Sequence, residues 1–454
     1  MAPRFDPRMS GAPLSPRPLG LGRHASVPVS RRAVLGGGLG LSVMAALSAC
    51  GGGGSGAAAG DGTGAITLGS NQSDAVPKAA YQKIVDAFIE ASGSEVGVNT
   101  VDHNTFQEQI NSYLQGDPDD VFTWFAGYRM RFFADQGLAG DISSVWENIG
   151  GNFNESFKEA STGSDGKQYF VPVSYYPWAV FYRKSVFEEN GYSVPTTLDE
   201  YIELAEGMKS DGLTPIGFAD KGGWEAMGTF DILNMRINGY DFHTRLLAGE
   251  ESWETDPVKE VFNTWARLLP YHQEGALGRD WQEAAQGLLQ KKSGTYLLGM
   301  FVSQQFQDAE GGEALEDLDF FTFPEVNPEH GTDSIDAPID GFMMSAQTQN
   351  AGTAKALLEF LGTPEAQKVN TDADKGLVAP VNGMDTSGYT ALQQKASEVV
   401  GEAAHIAQFL DRDTRPDFAS TVMIPSLQAF IREPGNIDSV LADIEAQKKA
   451  IFAG

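Results

Sequence analysis

Ala65-Ile66-Thr67-Leu68 is a short apolar run closed by Gly69. Pro77 to Ser92 follows, with Tyr81, Ile84, Val85, Phe88 and Ile89 recurring on one helical face and Gly93 as the stop. Val96, Val98 and Val101 read as a second strand. Thr105 then stands as the cap of a helix carrying Phe106, Ile110 and Leu114, and Val121-Phe122-Thr123 reads as a third, buried strand. Strand, helix, strand, helix, strand in that order predicts a parallel sheet with helices on its faces.

Downstream the alternation continues. Tyr169 to Val173 and Val180 to Tyr182 read as strands, and Thr197-Leu198-Asp199-Glu200 has the spacing of a capping box opening a helix. Thr295 to Leu298, Asp319 to Phe323 and Gly341 to Met344 are further strand candidates. A helical tail follows in five pieces: Ala354 to Leu361, Pro364 to Val369, Leu392 to Phe409, Pro425 to Phe430 and Ile437 to Phe452. The body from Ala65 onward is about 390 residues, more than one hydrophobic core usually covers, so two domains are expected.

Upstream the chain carries an address. Ser30-Arg31-Arg32-Ala33-Val34-Leu35 is a twin-arginine pair leading into a Gly-rich apolar stretch that ends near Ala46. That stretch is too short to span a bilayer, which takes roughly 20 apolar residues. A basic region, a short apolar core and small residues at its end predict a signal peptide over residues 1–49. Its last residues, Leu47-Ser48-Ala49-Cys50, resemble a bacterial lipobox, with a lipid expected on Cys50. Cys50 is the only cysteine in the chain, so no internal disulfide can form. Residues 50–64, rich in Gly, Ala and Ser, read as a flexible tether. The formal net charge is −29, and about −34 once residues 1–49 are set aside. Such a charge favours solubility and repels nucleic acid.

Several segments together resemble the extracellular solute-binding proteins of carbohydrate ABC importers, the family that includes maltose-binding protein. Gly116 to Trp124 is similar to the family's G-x-x-P-D-hydrophobic strand, and Tyr169 to Tyr176 to its first interdomain crossing. Phe181 to Gly191 resembles the YNKxxFxxxG segment, with Arg183 where Asn is usual. Pro195 to Tyr201 fits the P-x-T-x-x-E segment, and Asp340 to Ala346 followed by Ala354 to Gln367 the returning strand and its helix. The resemblance implies a periplasmic-binding-protein-like type II fold: two α/β lobes, a hinge and an interlobe ligand cleft. It places residues 65–174 plus 327–380 in an N-terminal lobe and 175–326 plus 381–454 in a C-terminal lobe.

A sugar has apolar C–H faces that lie on aromatic rings, and hydroxyls that need fixed donors and acceptors once water is excluded. Asn71 and Asp74 could bind hydroxyl pairs, or shape a turn and cap the helix after them. In Trp124-Phe125-Ala126-Gly127-Tyr128 the resemblance puts Trp124 at the cleft with Phe125 and Tyr128 beside it; the alternative is a core aromatic. Tyr175-Tyr176-Pro177-Trp178 does not alternate as a strand should, so some of its side chains face an opening or pack the hinge. Gly222-Gly223-Trp224-Glu225 offers a stacking ring after a flexible turn, or a Trp packed on its own domain. Met300 and Phe301 end a strand where relatives often carry Trp. Asp340-Gly341-Phe342 begins the returning strand, with Asp340 as acceptor or turn former. Arg412 and Asp413 stand where the family often has ligand residues; a charge run can equally be a solvated face.

The six histidines show no zinc spacing, and neither a phosphate-binding Gly loop nor a nucleophile elbow occurs. The expectation is therefore a membrane-tethered, monomeric receptor without cofactor or catalytic residue. It would capture a mono- or oligosaccharide by hinge closure and deliver it to the permease and ATPase of an importer. A receptor for a cationic solute such as a polyamine and an exported glycoside hydrolase are the alternatives.

Overall fold

A computed structural model describes residues 60–453. The signal-like segment, Cys50 and the tether up to residue 59 lie outside the described residues.

The first sheet has the order β2-β1-β3-β10-β4, formed by Val96–Thr100, Ile66–Ser70, Val121–Phe125, Ile339–Met344 and Phe170–Tyr175. β1 runs parallel to β2 and β3, as the βαβαβ reading requires. The sheet is not parallel throughout: β10 is antiparallel to both its neighbours. Every residue of β3 is buried, which is why its sequence is apolar but for Thr123. Helix α1, Ala75–Ser92, buries Tyr81, Ile84, Val85 and Phe88. It stops at Gly93, whose left-handed φ of 69° costs no Cβ clash. Helix α2, His103–Gln115, begins two residues before Thr105, because the side chain of Asp102 accepts from Thr105 N and is the cap.

The second sheet has the order β6-β7-β5-β8, from Thr214–Gly217, Ser293–Gly299, Trp178–Arg183 and Leu318–Phe321. Its helix Leu198–Ser210 opens with the capping box expected from Thr197 and Glu200. Each sheet with its helices forms one lobe of the two-lobe α/β fold.

Residues 176–177 carry the chain from β4 to β5 and so from one sheet to the other. It returns through residues 337–338, between β9 (Ser334–Asp336) and β10. The stretch 327–336 therefore does not belong with the first sheet, where the sequence reading put it. The buried guanidinium of Arg236 holds it from the helix Glu225–Asn238, donating to Ser334 O (2.8 Å) and Phe323 O (3.0 Å). The tail differs too. The helix beginning at Ala391 ends at Glu402, and β11, His405–Ala407, pairs in parallel with β9.

Candidate functional site

Between the lobes lies a cleft of about 520 Å³, within the range of small-molecule sites. It opens beyond the carboxyl ends of β1, β3, β4 and β7 and the start of β5, the usual position for a ligand in an open α/β sheet.

One wall is aromatic. Trp178 stands edge-on to Trp224 at 6.3 Å and to Phe301 at 6.1 Å, and Trp281 is edge-on to Phe301 at 5.1 Å. Trp178 sits this deep because position 228 is glycine: a Cβ there would meet its ring at 2.3 Å. Phe409 packs on Trp178 with centroids 4.8 Å apart. Its φ of 92° is left-handed for a bulky residue, and that strain opens the turn Leu410–Asp413 toward the cleft.

The opposing surface is polar. Arg412 Nη1 donates to Asp340 Oδ1 (2.8 Å) and Nη2 to Tyr176 OH (3.0 Å), while its guanidinium lies 4.0 Å over the Phe125 ring. Arg129 Nη1 donates to Asp411 Oδ2 (2.9 Å) and to Gln107 Oε1 (2.7 Å). Gln282 Nε2 donates across the cleft to Asp74 Oδ1 (3.1 Å). Four buried polar atoms on the lining residues have no hydrogen-bond partner in the protein: Ser174 Oγ, Glu225 Oε2, Asp411 Oδ1 and Arg412 Nε. Asp411 Oδ1 and Arg412 Nε stand 3.8 Å apart. They offer an acceptor and a donor side by side.

Burial sets the protonation here. It lowers His103 to about 4, with Arg412 adding to the effect, so the imidazole is neutral. It raises Glu225 to about 8, helped by the neighbouring Asp220 carboxyl, so Glu225 holds a proton at neutral pH and can donate. Asp340 is raised by burial, an effect opposed by Arg412.

Of the residues singled out in the sequence, Asp74, Phe125, Tyr176, Trp178 and Trp224 line the cleft. So do Glu225, Phe301, Asp340 and Arg412. The others do not. Trp124 is a core ring packed on Phe106 and Phe133, its Nε1 donating to Arg129 O (3.4 Å). Asn71 is buried between strands, accepting from Thr123 Oγ1 (2.9 Å), so it ties β1 to β3. Tyr128 opens the helix Tyr128–Asp135, α3, away from the lining. Tyr175 packs on Phe157 and bridges to Val378. Met300 is fully buried, and Phe342 lies behind the cleft, stacked on Tyr81 at 5.2 Å. Gly341 makes room for the neighbouring strand: a Cβ there would lie 2.0 Å from Val171 O. Asp413 folds back on its own turn, accepting from Gln408 N (2.8 Å).

The sequence reading missed Gln72, His103, Gln107, Trp281, Gln282 and Asp411. Asp280-Trp281-Gln282-Glu283 repeats the mixture of ring and carboxylate that drew attention to Trp224-Glu225. Among the described residues no group of three His, Cys, Asp or Glu could hold a metal ion, and no helix is long and apolar enough to cross a membrane.

The sequence profile of the bacterial extracellular solute-binding proteins matches residues 72–368. The solved structure of the bacterial solute receptor AcbH, described by an exclusive substrate preference for β-D-galactopyranose, superposes with a TM-score of 0.84. It is 47% identical, covering 86% of this chain and 100% of AcbH. An uncharacterized ABC transporter extracellular-binding protein of Pyrococcus horikoshii is 24% identical over 74% of this chain and 73% of its own length. The alpha-glucosides-binding periplasmic protein AglE of Rhizobium meliloti is 27% identical over 64% of this chain and 67% of its own.

Proposed function

Because the chain belongs to the bacterial extracellular solute-binding proteins, we propose that it is the sugar receptor of a carbohydrate ABC importer and that β-D-galactopyranose is its first candidate ligand. The observation that carries this reading is the pairing of two surfaces in one cleft. Trp178, Trp224, Trp281 and Phe301 offer rings to a C–H face, while Glu225 Oε2, Asp411 Oδ1 and Arg412 Nε wait for partners on the polar side. The identity to AcbH over its whole length supports galactose among the pyranoses.

The lobes make both sets of contacts at once only when closed, so ligand shifts the population toward closure. The closed form would dock on a permease pair and hand over the sugar. By its sequence, the receptor is exported through the twin-arginine signal, acts outside the cytoplasm as a monomer, and is held to the membrane by a lipid on Cys50. The relatives are receptors rather than enzymes, and sugar binding recurs in their descriptions, so neither the polyamine receptor nor the glycoside hydrolase is favoured.

Calorimetric titration of the purified protein with D-galactose, D-glucose, maltose and spermidine tests the ligand. Galactose is expected to bind at least ~tenfold more tightly than the others, a difference of about 1.4 kcal/mol. Spermidine binding that collapses with salt, without sugar binding, would overturn the reading. The Cys50→Ser variant is expected to leave the membrane fraction; retention there would remove the anchor.

A further inference from the structure

Two ion pairs cross between the lobes in opposite senses. Arg129 comes from α3 of the first lobe and Asp411 from the turn Leu410–Asp413 of the second, Nη1 to Oδ2 at 2.9 Å. Arg412 belongs to that same turn of the second lobe and Asp340 to β10 of the first, Nη1 to Oδ1 at 2.8 Å. Each lobe therefore gives one guanidinium and receives one. All four side chains are buried, with residue exposures of 5%, 8%, 6% and 8% for Arg129, Asp411, Arg412 and Asp340.

We infer that these crossed pairs form a clasp that holds the cleft closed, with Arg129 as a positioning residue that acts on the ligand only through Asp411. The inference rests on the reading of the chain as a solute receptor.

Arg129 does not line the cleft, but both side-chain hydrogen-bond partners of its guanidinium do. One Nη1 hydrogen bond fixes Asp411 Oδ2, which leaves Oδ1 buried without a hydrogen bond, 3.8 Å from Arg412 Nε. Another fixes Gln107, also on the lining. Its guanidinium lies over Phe125 at 5.2 Å, and that of Arg412 lies over the same ring at 4.0 Å, so one first-lobe aromatic is shared by both arms of the clasp. Separation of the lobes parts both ion pairs and the Arg412–Phe125 contact together, because their members sit on different lobes, while Arg129 keeps Gln107 and Phe125 within the first lobe.

The energetics are asymmetric. A buried pair gives back little more than its desolvation cost, but removal of one partner strands the other charge. Without Arg129, closure would bury the Asp411 carboxylate with only Arg412 Nε near it, 3.8 Å from Oδ1. Asp411 would then turn to Arg412, and the acceptor and donor offered to the ligand would satisfy each other.

The test follows D-galactose dissociation by stopped-flow tryptophan fluorescence, since three indoles line the cleft. Arg129→Met is expected to dissociate at least ~30-fold faster, with an association rate within ~threefold of the parent, because a lost buried pair acts on the off-rate. Arg129→Lys keeps the charge and is expected to fall between. Asp411→Asn and the double variant close the cycle, and the double variant is expected to be little worse than Asp411→Asn alone. An unchanged off-rate in Arg129→Met, a Lys variant no better than Met, or additive effects in the cycle would each overturn the clasp. Failure of the parent to bind any sugar would overturn the receptor reading instead. The clasp is then read without ligand, from the distance between fluorophores on the two lobes. That distance should lengthen in Arg129→Met, and an unchanged distance would sink the inference.

Discussion

Asp231 Oδ1 and His243 Nε2 stand 3.8 Å apart in the second lobe, and solvent reaches neither side chain. They are not an ion pair. Burial lowers His243 to about 3, so the ring is neutral. Burial, with Asp336 adding its charge, raises Asp231 well above the usual carboxylate range. Asp336 is raised in the same way, and neither of its oxygens has a partner.

These carboxyls make stability depend on pH. Burial also raises Asp220 to about 7, Glu225 to about 8, and Asp374 and Asp413 to about 6. An unfolded chain releases these protons near pH 4, whereas the folded chain keeps them, so folded protein binds more protons between about pH 4 and pH 8. Stability from these groups is complete below pH 4 and falls as pH rises to 8. The melting temperature at pH 5 should exceed that at pH 8, and Asp336→Asn should raise the pH 8 value by more than the pH 5 value. A melting temperature that climbs from pH 5 to pH 8 would refute the assignment.

Trp224 is partly exposed on the cleft wall, edge-on to Trp178, to Phe301 at 5.9 Å and to His103 at 6.5 Å. Trp224→Ala should weaken sugar binding by ~30-fold or more, as expected of an aromatic anchor. Calorimetry decides, and unaltered affinity would remove the ring from the site.

Gly341 lies where β10 and β4 shift register, and a Cβ there would stand 2.0 Å from Val171 O and 2.6 Å from Phe170 Cζ. Gly341→Ala should cost about 2 kcal/mol or more, because backbone must move to admit it. A urea midpoint equal to the parent's would show that the strands have slack.

Thr197 accepts from Glu200 N (3.3 Å) while Glu200 reaches back to the Thr197 and Thr196 amides. Thr197→Ala should lower stability by ~1 kcal/mol, the usual worth of an N-cap. Sugar affinity should stay as it was, since this helix start does not line the cleft. A drop in affinity with unchanged unfolding would contradict the purely local role.

The sequence was most readable where one face of an element meets water. Helix α1 shows its buried stripe because its other face is exposed, and the Thr197 capping box is a local interaction that needs no tertiary context. The helix Glu225–Asn238 was invisible by the same logic: it is buried on nearly every side, so no polar face marks its period. Among site residues, Trp224 and Arg412 could be noticed as a ring or charge after a turn. Trp124 could not be told from Phe125, its neighbour, because which of the two reaches the cleft depends on Phe106 and Phe133 packing against one of them. Arg129 gave no signal at all, since its partner Asp411 is 282 residues away.

Strand β10 is the last part of the first sheet to be synthesised, yet it lies between β3 and β4. All four strands of the second sheet leave the ribosome before it does. Until Ile339–Met344 arrives, β3 and β4 each present a bare edge of unpaired amides and carbonyls, the kind of template that recruits other chains. Neither lobe can therefore be completed and then left alone while the other is made. A fragment ending before Ile339 should aggregate rather than fold, and supplying residues 339–453 as a separate piece should rescue it.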